Sequence, residues 1–130
     1  MTLPQNVIGV DVSKHWIDVF HLPSASHRRI SVTEQALAEF AAGAAGALVV
    51  FEASGGHERP LAEALVAAGV RHARVNPRQA REFARACGTL AKTDRVDARV
   101  LAEMGEGLKL KVTEPLDPQR TELAGLVARR

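Results

Sequence analysis

The pattern of apolar and polar positions opens with three strand-like segments. Asn6 to Asp11 (NVIGVD) is a short apolar run rich in β-branched residues and predicts a buried strand. Trp16 to His21 (WIDVFH) alternates and predicts a second strand, and His27 to Val32 (HRRISV) predicts a third. The links at Ser13–Lys14 and Pro23–Ser26 are short, so these strands favour an antiparallel meander.

From Thr33 the spacing becomes helical. Thr33 can cap a helix over 34–42 with Leu37 and Phe40 inward, ended by Gly43 and Gly46. Ala47 to Phe51 (ALVVF) is a fully apolar strand that ends at Glu52, and Ser54-Gly55-Gly56 is a turn. A helix over 58–68, with Leu61, Leu65 and Val66 inward, stops at Gly69 and leads to a strand over 70–75. Asn76-Pro77 starts a helix to about Cys87, with Ala80, Phe83, Ala84 and Cys87 on one face. Arg74, Arg78, Arg81 and Arg85 follow the other face. After Gly88–Lys92, Thr93 or Asp94 caps a further helix through Met104. Residues 119–130 form a last amphipathic segment through Leu123, Leu126 and Val127. The order β-β-β-α-β-α-β-α-α implies an α/β fold: a five-stranded mixed sheet with helices on both faces, its later strands parallel to the first.

Composition narrows the class. The chain has 130 residues, 46% hydrophobic and 25% charged, which suits a single globular domain. Aromatics are only 4%, so Ala, Val and Leu build the core, and Trp16 is expected inside it, with base stacking as its alternative role. The single cysteine, Cys87, excludes an internal disulfide and a Cys-rich zinc site, and its place on an apolar helix face predicts a core position. His15, His21, His27, His57 and His72 show no metal-ligand spacing and are expected at or near the surface. The start MTLPQNV has no signal-peptide pattern, and no apolar run approaches the ~20 residues of a membrane span, so a cytoplasmic location away from the membrane is expected.

Charge is unevenly placed. Residues 1–70 carry four Lys/Arg against seven Asp/Glu, and residues 71–99 carry eight against three. A basic block of this kind can meet a polyanion or can be a solvated helix face. Ser54-Gly55-Gly56, at a helix start, could take a phosphate on its backbone N–H groups.

Four acids stand where chemistry would be expected. Ligand sites in open α/β sheets form beyond the carboxyl ends of strands. Asp11 ends the first strand and Glu52 the fourth, which this topology sets side by side at about 4.8 Å. Asp94 and Asp97, three apart at a helix start, share a face. Such hard oxygen donors suit Mg2+ or Mn2+ and phosphodiester chemistry. Each acid also has a plainer role: Asp11 can open a turn, Asp94 can be an N-cap and Asp97 can answer the helix dipole. Glu52, directly after a buried strand, has no standard turn or capping role.

The segments Ile8-Gly9-Val10-Asp11-Val12-Ser13-Lys14, Phe51-Glu52-Ala53-Ser54-Gly55, Val75-Asn76-Pro77 and Lys92-Thr93-Asp94-Arg95-Val96-Asp97-Ala98 resemble, in this order, the DEDD insertion-sequence transposases, relatives of the Piv and MooV DNA invertases. The resemblance implies an RNase H-like (RuvC-like) fold and a catalytic, Mg2+-binding tetrad at Asp11, Glu52, Asp94 and Asp97. It implies DNA as partner, guide RNA as a second candidate partner because some members use a bridge RNA, and a homo-oligomer for the full-length protein. Lys14, Arg78, Arg81, Arg85, Lys92 and Arg95 are the candidate nucleic-acid contacts. Family members carry a second domain with a serine nucleophile, and Ser13, Ser24, Ser26, Ser31 and Ser54 match no such element. The expectation is therefore a RuvC-like domain over 1–108, with 109–130 a linker and the start of a helix leading to a second domain. Two alternatives belong to other classes. One is a nucleic-acid-binding module inactive on its own. The other is a sugar-kinase or actin-like ATPase, whose duplicated domain 130 residues cannot hold.

Overall fold

Apolar runs with short turns make the first half of the sheet. The computed structural model describes residues 6–88, 97–108 and 110–113. Strand β1 (Val7–Val12) pairs antiparallel with β2 (Trp16–Leu22), and β2 pairs antiparallel with β3 (Ser26–Ser31). Helix α1 (Glu34–Gly43) carries the chain back, so that β4 (Leu48–Glu52) enters parallel to β1. Helix α2 (Arg59–Ala67) does the same for β5 (Arg71–Val75), parallel to β4. The sheet order is β3-β2-β1-β4-β5. Helices α3 (Pro77–Ala86) and α4 (Ala98–Gly107) follow. This is the mixed five-stranded sheet that the period changes predict.

The sheet has two cores because successive side chains alternate between its faces. On one face Ile8, Val10, Ile17, Val19, Val49 and Phe51 pack under α1 and α2 through Leu37, Phe40, Leu61 and Leu65. On the other, Val7, Leu48, Val50, Ala73 and Val75 pack under α3 and α4 through Ala80, Ala84, Leu101 and Met104. Apolar burial fixes each helix to its face, and α1 and α3 add a side-chain cap: Thr33 Oγ1 accepts from Ala36 N in α1, and Asn76 Oδ1 accepts from Arg78 N in α3.

Helix α4 lies unusually close to β1. A methyl group at Gly9 would meet the carbonyl oxygen of Ala98 and the amide of Ala102, and one at Gly105 would meet Val7 and Val50. Small residues on both elements thus let the backbones touch. Beyond the helix, Leu110 and Val112 lie back on the same core, and Thr113 bridges to His72 through two backbone hydrogen bonds. Among the described residues no helix is long and apolar enough to cross a membrane.

Several local expectations need correction. Helix α4 opens at Ala98 with Asp97 as its cap, not Thr93 or Asp94, since Asp97 has extended backbone angles and its side chain accepts from Val100 N. Cys87 is exposed, because α3 ends at Ala86 and the cap residue turns away from the core. Trp16 is 41% exposed at the start of β2, beyond the edge of α4's cover. Conversely His72 is buried, at 6% exposed, with its ring stacked on Phe51 and Nδ1 hydrogen-bonded at the Val70 carbonyl.

Candidate functional site

Strand alternation decides which acids meet. Val7 and Gly9 face α4, so Asp11, two residues on, points to that face at the carboxyl end of β1. In β4, Leu48 and Val50 line the same core, so Glu52 faces the same way at the carboxyl end of the neighbouring parallel strand. The last paired positions of these strands are Val10 and Phe51, one residue before the two acids.

Helix α4 runs antiparallel to β1, which brings its N-terminus over the same end of the sheet. Asp97 therefore lines a cleft of about 270 Å³ together with Asp11, Asp18, Phe20, His27 and Arg99. Its Oδ1 is engaged by the Val100 amide at 3.0 Å, so the same carboxylate both starts the helix and faces the cleft. Glu52 lines a neighbouring groove of about 480 Å³ with Pro77, Arg78, Arg81, Glu82 and Arg85 of α3. The structure thus joins Asp11 and Asp97 in one cleft and sets Glu52 beside it under the basic helix. Asp94, Lys92 and Arg95 lie outside the described residues, as do Leu123, Leu126 and Val127. Among the described residues, no group of three or more His, Cys, Asp or Glu side chains gathers closely enough to hold a metal ion.

Asp18 escaped the sequence reading. It sits directly across from Asp11 in the β1–β2 pair, and its two oxygens take Arg29 Nε at 2.8 Å and Nη2 at 3.2 Å. The hydrogen bond to Asp18, partly opposed by burial, holds the Arg29 guanidinium above its ordinary pKa, with the Asp18 and Asp11 charges adding to the effect. The pairing signal was present: a short link between two strands puts Asp11 and Asp18 equidistant from the turn.

The loop after Glu52 is closed by a second acid. Glu58 is only 2% exposed, and its Oε1 accepts from Ser54 N at 3.1 Å, Gly56 N at 3.0 Å and Ser54 Oγ at 3.3 Å. Its Oε2 takes a short hydrogen bond from Arg74 Nη2. Burial alone would raise its pKa, but the amides of Ser54, Glu58 and Gly56, with Arg74, bring it down to about 2. This corrects two expectations. The Ser54 and Gly56 amides already hold an anion, Glu58. Arg74 belongs to this pair and not to the stripe on α3, because in β5 it points opposite to Ala73 and Val75. Arg78, Arg81 and Arg85 remain together, exposed on α3, with Arg78 Nε donating to Glu82 at 3.3 Å.

A transposase family model of the DEDD IS110 type matches residues 8–130. Among solved structures, the chain is similar to the RuvC of Thermus thermophilus in complex with a Holliday junction substrate: TM-score 0.56, 13% identity, covering 84% of this chain and 99% of that one. A second Thermus thermophilus RuvC structure gives a TM-score of 0.46 at 15% identity, covering 89% and 85%, too low to add weight. No curated protein matches in sequence. The fold is thus RuvC-like, and with the match running from β1 to the last residue the chain belongs to the DEDD transposase family.

Proposed function

We propose that this chain is the metal-binding catalytic domain of a DNA transposase or recombinase, acting in DNA strand cleavage and transfer. Asp11, Glu52, Asp94 and Asp97 would hold Mg2+ or Mn2+. The observation that carries this reading is that Asp11 and Glu52 end adjacent parallel strands on the face where α4 delivers Asp97. Carboxylates at adjacent strand ends repel one another unless a cation, a proton or a basic partner intervenes, and hard oxygen donors without Cys fit Mg2+ in kind. A metal held there would supply Lewis acidity for phosphodiester chemistry.

The chain's own residues do the rest. Gly9 and Ala98 set the height of α4 over the sheet and so position Asp97. Glu58 ties down the loop that follows Glu52. Arg78, Arg81 and Arg85 line the groove beside Glu52, where guanidinium groups can hold DNA phosphates. Lys14, exposed at the tip of the β1–β2 turn, offers a further phosphate contact from the same end of the sheet.

Calorimetric titration of Mn2+ tests the metal site. Asp11→Ala and Glu52→Ala are each expected to weaken binding at least about tenfold by removing a charged oxygen ligand. Unchanged affinity in both variants refutes the site. A second reading, a module that binds DNA or guide RNA without chemistry of its own, is favoured by the dispersion of the described acids between two grooves. Mg2+-dependent nicking of supercoiled DNA by the chain, abolished in Asp11→Ala, separates the two.

A further inference from the structure

The sheet face that carries Asp11 continues past the cleft. Helix α4 covers β1, β2 and β4, and further out the same face presents Trp16, Asp18 and Phe20 of β2 beside Ser31, Arg29 and His27 of β3. The Arg29 guanidinium lies 4.5 Å from the Trp16 ring centroid and is oriented there by its two hydrogen bonds to Asp18. His27, more than half exposed, lies 3.9 Å from Asp18 and lines the cleft with Asp11 and Asp97. Exposed Lys14 and His15 precede Trp16 at the hairpin tip.

The only tryptophan of a chain with no tyrosine is 41% exposed, and a bidentate ion pair locks an arginine over its ring. An aromatic ring with a planar cation stacked over it offers what one unstacked nucleotide needs: a flat surface for the base and guanidinium donors for the phosphate. Asp18 joins this pair to the strand position facing Asp11, so a nucleotide held there has its neighbouring phosphodiester near the cleft. Base stacking on a side chain requires a base out of its duplex, which selects a single strand.

We propose that Trp16 and Arg29 form a stacking platform for one nucleotide of a single DNA strand leading into the Asp11–Asp97 cleft. This rests on the DNA-processing reading above. Asp18 is a positioning residue that fixes the guanidinium against the ring.

Trp16 is its own reporter, since all tryptophan emission of the chain comes from it. The unmodified chain is titrated with oligothymidylate, following Trp16 emission, and in parallel by anisotropy of the same strand carrying a fluorescent label. Saturable quenching is expected at the strand concentration where anisotropy rises. Trp16→Ala is expected to weaken anisotropy-detected binding about tenfold, and Trp16→Phe to restore most of it. Arg78→Glu is expected to weaken binding while leaving the quenching at saturation intact. Binding with unchanged Trp16 emission, or undiminished in Trp16→Ala, overturns the platform and leaves the DNA-processing reading standing. Quenching by oligouridylate but not by oligothymidylate overturns it in favour of an RNA surface. No binding of either strand overturns the platform and the nucleic-acid reading together. The quenching measurement needs no variant, so it stands even if a substitution impairs folding.

Discussion

Gly9 of β1 lies directly beneath Ala98 of α4: a methyl group on Gly9 would stand 1.9 Å from the Ala98 carbonyl oxygen. Backbone is on the other side of that contact, so relief requires moving the helix. Gly9→Ala is expected to destabilise the chain by at least about 2 kcal/mol in urea denaturation. Gly105→Ala meets only the methyl groups of Val7 and Val50, which can shift, and is expected to cost less, about 1 kcal/mol. Equal costs for the two would argue against a backbone contact at Gly9.

Asp97 has two tasks that one substitution can divide. Asn caps a helix about as well as Asp, so Asp97→Asn is expected to keep stability within about 0.5 kcal/mol while lowering Mn2+ affinity. Asp97→Ala is expected to lose both, with about 1 kcal/mol of stability gone. Thermal denaturation and calorimetry on the two variants check this; full Mn2+ affinity in Asp97→Asn would leave Asp97 as a cap alone.

Glu58 gives the fold a pH signature. Its folded pKa lies below the ordinary 4.5, at about 2, so its contribution is present above 4.5 and is lost as pH falls toward 2. That contribution is roughly 3 kcal/mol at neutral pH. Glu58→Gln is expected to be less stable than wild type at pH 7, with the difference shrinking steadily between pH 4.5 and 2. A difference that stays constant through this window would mean that packing, not charge, is what Glu58 supplies.

The groove on α3 is read through salt. Changing Arg78, Arg81 and Arg85 together to Glu should remove three phosphate contacts and lower the slope of log affinity against log salt by about 2 on single-stranded DNA. An unchanged slope would return these arginines to a solvated helix face.

Strand order and helix order were legible because each segment keeps one period and changes it at a turn or cap signal, whereas the close approach of α4 to Gly9 was not. The strand-end acids Asp11 and Glu52 were legible for the same reason: position in a strand sets the face. What escaped depends on pairing between distant residues. Asp18 looked like one polar position in an alternating strand until β3 supplied Arg29. Arg74 fell on the helical spacing of Arg78 and Arg81, although it belongs to β5, where the period is two. The Ser54–Gly56 turn has the composition of an anion loop, and only the helical return at Glu58 shows that its anion is built in. Trp16 by residue type and Cys87 by helix face read as inward, but both sit at element ends, where burial is decided by neighbouring cover.

The bridge between His72 and Thr113 bears on assembly. It occupies the free side of β5 with two backbone hydrogen bonds, while the opposite outer strand, β3, carries His27, Arg28 and Arg29 along exposed positions. One border is bridged at a single position by the chain itself and the other carries exposed basic side chains, both recognised defences against strand addition. Addition of a further strand at either edge of the five-stranded sheet is therefore disfavoured.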